Sequence, residues 1–529
     1  MRSARIGMIL PLVVLVSAGG SVHAQAADPF VASLTVAVVN TDSGQLQGFV
    51  KNGIYTYRGV PYARAERFMA PRPVDKWEGV RPALTYGEIC PVPPMTAVAN
   101  DELFNPHRYF PQNENCQFLN IWTPGIQDNE TRPVMVWLHG GGFTNGSSIE
   151  MDAYDGENLS RKGDVVVVSL NHRLNVLGYL DLSAYGEKYQ YSGNVGVADL
   201  VAALRWVHDN IAEFGGDPDN VTVFGQSGGA RKVLSVMSVP AAKGLVAKAI
   251  AQSSANTFNS QETARKVAEL TLQNLGLRPD QVDELQTMPY LRLLEAADKA
   301  LEQIGGVGWT PVIDGDYYPA PGSQFGEQAR AIPLMIGSVL TERSTIIRRK
   351  PEELQADNKN SWSAEQARAK LGERYGDKAD AVAEAFLKAY PRKTYADAYF
   401  VDERSRPIAI EIAGRKAAQQ GAPVYNYVFA FFSPVMDGIG MSWHCSEIPY
   451  AFDNVDVAIT ATGGGDAAHA MAHVVSQAWI NFARYGNPNH PGLPDWPAYT
   501  SEGGATMIFD GVSEVGHHHD EALLDLITK

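Results

Sequence analysis

The chain has 529 residues, 45% hydrophobic and 19% charged, with a formal net charge of −15. That is ordinary globular composition, long enough for a large core. Phosphate backbones are bound by clustered Lys and Arg, so an acidic chain with no long basic run excludes nucleic acid as an expected partner.

The chain opens with Arg2 and Arg5, an apolar run from Ile6 to Ala18, and the small-residue exit Val22-His23-Ala24. This pattern is expected to be a signal peptide, residues 1–24, leaving 25–529 as one exported domain, periplasmic or secreted from a bacterial cell. No later stretch reaches the ~18 apolar residues of a membrane helix, so no membrane anchor is expected after cleavage. Export exposes the three cysteines to an oxidising compartment. Cys90 and Cys116 bracket a loop rich in Pro and Asn. A bridge across it would stabilise the fold by ~3 kcal/mol on the chain-entropy model; two unrelated thiols are the alternative. Cys445 is then the odd thiol, expected as a small buried filler.

GQLQGF and GIYTYRGVPYA read as antiparallel strands at one edge of a sheet. The runs 134–139, 164–171, 221–225, 247–253, 333–339 and 424–431 read as strands buried on both faces. Residues 197–214 have apolar residues at helical spacing, ended by Gly215-Gly216. This alternation predicts an α/β fold with a central, mostly parallel sheet flanked by helices. The helical, charged stretches 260–306 and 352–420 read as insertions over the sheet ends, natural walls for a pocket.

Two glycine-rich turns follow predicted strands. Residues 225–229 read GQSGG, between a strand and a helix-compatible run. G-x-S-x-G in that setting makes a sharp turn that holds a serine hydroxyl out at the top of a sheet. Ser227 is therefore the candidate nucleophile. Residues 139–143 read HGGGF. Adjacent glycines let main-chain N–H groups converge on one point, so Gly141 and Gly142, with Gly228, are the candidate oxyanion donors.

Such a serine needs a base and a group to orient it. His444 lies in a Gly-rich loop after a predicted strand and is the candidate base. His469 and His473 share a helix face, but Ala470 stands where a zinc protease has Glu, so packing is the better reading. His517, His518 and His519 read as a solvent-facing tail tract. The chain order nucleophile, acid, base places the acid between 227 and 444. Glu342, in the turn of PLMIGSVLTERS, is preferred over Asp314 or Asp316, which Pro and Gly mark as turn residues.

These residues resemble the type B carboxylesterases, which include the cholinesterases and have the α/β-hydrolase fold. YRGVPYA (57–63), ENCQFLNIWTP (114–124), VMVWLHGGGF (134–143), NHRLNVLGYL (171–180), the long block 193–229, HCSEIPYAFDN (444–454) and WINFARYGNPN (479–489) look like family blocks in family order. The resemblance implies hydrolysis of a small-molecule carboxylic ester through an acyl-enzyme, with no metal and no organic cofactor. It implies Ser227 as nucleophile, Glu342 as charge partner and His444 as base. It pairs Cys90 with Cys116, and Ser253 matches a serine that often supports the acid. The chain departs from the family at Gln226, where Glu is usual, at Gly228, where Ala is usual, and at Arg343, where Gly is frequent. Phe104 falls about where cholinesterases carry a choline-stacking Trp. Substrate contacts are expected from Phe143, Phe104, Arg231 and Arg343. The basic residues Arg231 and Lys232, and Arg343, Arg348, Arg349 and Lys350, flank the two site turns, so bulky or anionic esters are the narrower expectation. A silent binding protein, or a lipase or amidase on the same fold, is the alternative.

Overall fold

The computed structural model describes residues 30–95, 100–255, 258–305, 307–319, 325–344 and 357–529. The signal-peptide segment and Arg348, Arg349 and Lys350 lie outside the described residues.

One sheet of twelve strands organises the described residues. In chain order they are β1 (Phe30–Val31), β2 (Phe49–Lys51), β3 (Ile54–Pro61), β4 (Phe118–Thr123), β5 (Arg132–Leu138), β6 (Val166–Leu170), β7 (Gly216–Gln226), β8 (Lys248–Gln252), β9 (Leu334–Val339), β10 (Val424–Phe429), β11 (Ala505–Phe509) and β12 (Glu514–His517). Their order across the sheet is β1-β2-β3-β4-β6-β5-β7-β8-β9-β10-β11-β12. From β6 to β11 every neighbour is parallel. The flanking pairs are antiparallel.

Parallel strands are covered on both faces, so their residues are apolar without alternation. In β5, Val134, Val136 and Leu138 pack into one layer, beside Val221 and Val223. Met135 and Trp137 pack into the other, beside Val167 and Phe224. The helices that cover them include α1 (Val195–Asn210), α2 (Gly228–Ser238), α3 (Gln261–Leu275), α4 (Tyr290–Ile304), α5 (Ala364–Tyr375), α6 (Ala379–Ala389), α7 (Ser405–Ala418) and α8 (Asp466–Tyr485). Leu200 and Leu204 of α1 and Val233 of α2 close the first layer. Met471, Val475 and Trp479 of α8 close the second. Past α1 the helical turns end at Gly215, left-handed at φ +73°, as the Gly-Gly pair predicts.

Two regions depart from the sequence reading. GQLQ does not join the main sheet: Gly44–Gln47 pairs with Val38–Thr41 and Val80–Pro82 in a sheet of three. The break falls at Gly48, where a Cβ would meet the Thr56 carbonyl oxygen at 2.4 Å, so the chain crosses itself too closely for a continuous strand. The C-terminal pair β11–β12 carries no strong periodicity and completes the far edge; His517 is therefore in a strand rather than a tail. The insertions also divide. α5 and α6 build a third apolar cluster around Leu371, Val382 and Phe386, under Val428 and Ile508.

Candidate active site

β7 ends at Gln226 and α2 begins at Gly228, so Ser227 is the whole connection. Its backbone has φ 58° and ψ −120°, a region that strains any residue with a Cβ. The surroundings over-determine that conformation. A Cβ on Gly225 would meet the Leu138 carbonyl oxygen at 2.5 Å, and one on Gly229 would meet it at 1.9 Å. Only glycines let the turn close against the end of β5. The Ser227 N–H donates to the Gln252 carbonyl at 2.8 Å, which ties the turn to β8.

The HGGG loop leaves the end of β5 beside this turn. Gly141 and Gly142 are both left-handed, at φ +78° and +65°. A Cβ on Gly140 would stand 3.8 Å from the Ser227 Cβ. One on Gly228 would stand 2.4 Å from the Gly142 Cα. The loop thus fills the space that a Cβ at Gly228 would take. Among the described residues no hydrogen bond occupies the N–H of Gly141 or Gly142.

His444 lies in the loop after β10, and Glu342 in the turn after β9. The two turns are joined twice. The His444 N–H donates to the Glu342 carbonyl at 3.2 Å, and His444 Nδ1 is hydrogen-bonded to Glu342 Oε2. The other carboxylate oxygen accepts the Val339 N–H at 3.2 Å. Glu342 is buried. The Gln226 carboxamide lies against the imidazole, its nitrogen 3.3 Å from each ring nitrogen. Its oxygen accepts from Cys445 Sγ at 3.2 Å. Cys445 is buried as expected, and it holds the amide in place.

Two further buried carboxyls face this pair, and the sequence reading missed both. Burial, then the charge of Glu342, pushes Asp402 up to about 7. The same two causes, in the same order, raise Glu447 to about 7. Glu447 Oε1 accepts from Gln252 Nε2 at 3.1 Å, and Trp479 Nε1 donates to Gln252 Oε1 at 3.2 Å. A signal for Glu447 existed: an acid three residues past His444, entering the apolar run IPYAF. Asp402 carries none, because only the fold brings the start of α7 to β9.

Ser227 and His444 open together onto two cavities. The larger, about 650 Å³, is also bordered by Gly142, Gly228, Glu342, Arg231, Arg343 and Arg404. The other, about 480 Å³, is bordered by Gly140, Gly141, Gln226, Met95 and Tyr109. Arg231 is largely buried with its guanidinium 4.8 Å from the Phe143 ring, and desolvation lowers it to about 10. Arg343 is half-exposed, 3.7 Å from Glu403. The described residues of 260–306 contribute nothing to either cavity, whereas Asp402, Arg404 and Ser405 come from 352–420.

Four expectations need correction. Phe104 is fully buried and stacked on Trp443 at 4.6 Å, because the disulfide loop tucks it inward; it borders neither cavity. Phe143 is also fully buried, against Tyr179 at 5.1 Å, and reaches the site only through Arg231. Ser253 borders the larger cavity, but its hydroxyl makes no hydrogen bond to Glu342. Asp314 behaves as a turn residue, accepting the N–H groups of Asp316 at 3.0 Å and Tyr318 at 2.8 Å. His469 pairs on the surface with Asp456 at 3.1 Å. His519 is half-buried rather than solvent-facing, and desolvation lowers it to about 4. No cluster suited to a metal ion occurs among the described residues.

Cys90 and Cys116 are bonded to each other, with Cα atoms 4.9 Å apart. Among the described residues no helix is long and apolar enough to cross a membrane.

A family model described as "Carboxylesterase family" matches residues 35–522. Para-nitrobenzyl esterase of Bacillus subtilis is 35% identical over 502 residues, spanning 92% of this chain and 97% of its own. Phenmedipham hydrolase of Pseudarthrobacter oxydans is 32% identical over 498 residues, spanning 90% and 95%. Among solved structures, an esterase from Clostridium hathewayi, described as hydrolysing aliphatic aromatic polyesters, superposes with a TM-score of 0.87 at 40% identity. It covers 94% of this chain and 99% of that one.

Proposed function

The chain belongs to the carboxylesterase family, with the α/β-hydrolase fold and carboxylic ester hydrolase activity, and we propose that it works through an acyl-enzyme on Ser227. The observation that carries this reading is the His444–Glu342 pair, opening with the strained Ser227 onto cavities bordered by glycine N–H groups. His444 Nε2 takes the Ser227 proton as Oγ attacks the ester carbonyl. Glu342 fixes the ring through Nδ1 and stabilises the imidazolium that forms. The N–H groups of Gly141, Gly142 and Gly228 stabilise the tetrahedral oxyanion. The imidazolium then protonates the leaving alcohol, and water repeats the sequence on the acyl-enzyme. No metal or organic cofactor enters these steps. The Cys90–Cys116 bridge supports the reading that residues 1–24 direct export.

Diethyl p-nitrophenyl phosphate tests the nucleophile. One equivalent is expected to inactivate the enzyme, releasing one p-nitrophenolate and leaving the phosphoryl group on the peptide that holds Ser227. A label on any other residue overturns the assignment.

A narrower reading concerns substrate charge. Arg231, Arg343 and Arg404 border the cavity that holds the serine, which favours an ester whose acyl or alcohol half carries a carboxylate. A hydrogen bond to a charged group is worth about 1.5–3 kcal/mol. Arg231→Ala or Arg343→Ala should therefore lower the kcat/KM ratio of p-nitrophenyl hemiglutarate over p-nitrophenyl butyrate by roughly 10–100-fold. 4-Acetoxybenzoate, read against phenyl acetate, tells the alcohol half from the acyl half. Unchanged ratios in both variants would remove this reading while leaving the esterase intact.

A further inference from the structure

One buried group near the site takes no part in the steps above. Lys232 sits in the first turns of α2 with no exposed surface. Although it flanks the serine turn with Arg231, it borders neither cavity. Nζ donates to the His139 carbonyl at 2.8 Å and the Gly140 carbonyl at 3.3 Å. These are the first two carbonyls of the HGGG loop. Desolvation drives the amine well below its ordinary value, and the Glu150 carboxylate offsets only part of that. Protonated or neutral, it has hydrogens enough for both bonds.

The Gly140 carbonyl and the Gly141 N–H belong to one peptide unit. A donor on that oxygen pulls electron density from the amide and makes its N–H a stronger donor on the opposite side. His139 Nδ1 lies 2.9 Å from the same oxygen, and the His139 ring stacks on His172 at 5.3 Å. The Gly141 carbonyl is held separately, by the N–H groups of Thr144 at 3.3 Å and Asn145 at 2.9 Å, so Lys232 and His139 hold the peptides before it. Gly141 and Gly142 have no side chains, and both are already in a left-handed conformation.

We propose that Lys232 is the positioning residue of the oxyanion loop: its two bonds fix the His139 and Gly140 peptides and polarise the Gly141 N–H toward the developing oxyanion. This inference rests on the acyl-enzyme reading of Ser227. It also accounts for a lysine on an α2 face whose following residues, Val233, Leu234 and Val236, are core.

The test compares wild type with Lys232→Met, which keeps the length and loses the donors, and Lys232→Gln, which keeps a donor of shorter reach. Each preparation is titrated by its p-nitrophenolate burst, so rates refer to folded, reactive sites. For Lys232→Met, kcat is expected to fall about 10–100-fold with KM within about threefold, since the lost interaction acts mainly in the transition state. The acyl carbonyl stretch of the acyl-enzyme, read by isotope-edited infrared difference, should move to higher frequency as the hole weakens. Lys232→Gln should fall between the two, and it takes over the test should the Met variant fail to fold. Wild-type kcat per titrated site with an unmoved carbonyl band, in either variant, overturns the proposal. A wild type with no titratable serine instead overturns the reading of Ser227.

Discussion

Replacing Ser227 with alanine is expected to lower kcat for p-nitrophenyl butyrate by about 10⁵–10⁶-fold, with no burst and a KM close to wild type. That is about 7–8 kcal/mol of barrier. The size follows from how the parts depend on each other. Without Oγ, the His444–Glu342 pair has no proton to take, and the covalent route is closed. What remains is the oxyanion loop and binding, which still favour attack by water from solution. The fold should survive. The alanine adopts the same φ of 58°, which Gly225 and Gly229 impose by their contact with Leu138. The Ser227 N–H keeps its bond to Gln252. Melting temperatures of the two proteins should agree within a degree or two. Residual activity above about 1% of wild type, in a preparation free of contaminating esterase, would mean that another group carries the reaction.

The expected size of that effect rests on residues that were readable before any coordinates. GQSGG and HGGGF announce themselves because glycine is tolerated in such clusters only where backbones must touch. The contacts at Gly225, Gly228 and Gly229 are those touches. The buried strands were readable for a related reason. A parallel strand covered on both faces is written as an uninterrupted β-forming run, as in VVVSL of β6. Other features have no local signature. Phe104 was placed by resemblance along a loop, and loop register does not report which way a ring turns; here it turns inward onto Trp443. Lys232 and Arg231 are neighbours with similar side chains, yet one faces the loop carbonyls and the other the cavity. Helix geometry sends adjacent residues to different faces, but which face meets the site depends on how α2 docks under β5. Asp402 and Glu447 matter because they are buried near Glu342, a property of the assembled sheet rather than of any stretch of chain.

The assembled sheet also carries the largest expected loss of stability. Arg406→Met should destabilise the protein by about 3–5 kcal/mol at pH 7, measured by chemical denaturation. Arg406 is buried. Its Nε lies 2.7 Å from Asp520 Oδ2, and Nη2 lies 3.2 Å from Asp520 Oδ1 and 3.2 Å from Thr506 Oγ1. Nη1 is bonded to Asn426 Oδ1. One guanidinium therefore joins α7 to β10, β11 and Asp520, the N-cap of the C-terminal helix Glu521–Thr528. Methionine fills similar space but strands the Asp520 carboxylate without a counter-charge, and that stranded charge, rather than the lost bond, is the main cost. The sign with pH separates the two. In wild type, burial acts to raise the Asp520 pKa, but Arg406 outweighs it and holds the carboxyl below its ordinary range. Its contribution is thus complete above the unfolded value, about 4, and is lost as pH falls through the folded one. In the variant the same carboxyl becomes a buried acid with a raised pKa, which gains stability by taking up a proton. The gap between wild type and Arg406→Met should accordingly narrow from pH 7 to pH 5. A second substitution, Asp520→Leu, should recover most of it at pH 7, because a buried pair replaced whole costs far less than one broken in half. A gap that is independent of pH and not relieved by the second change would assign the loss to packing around α7 instead.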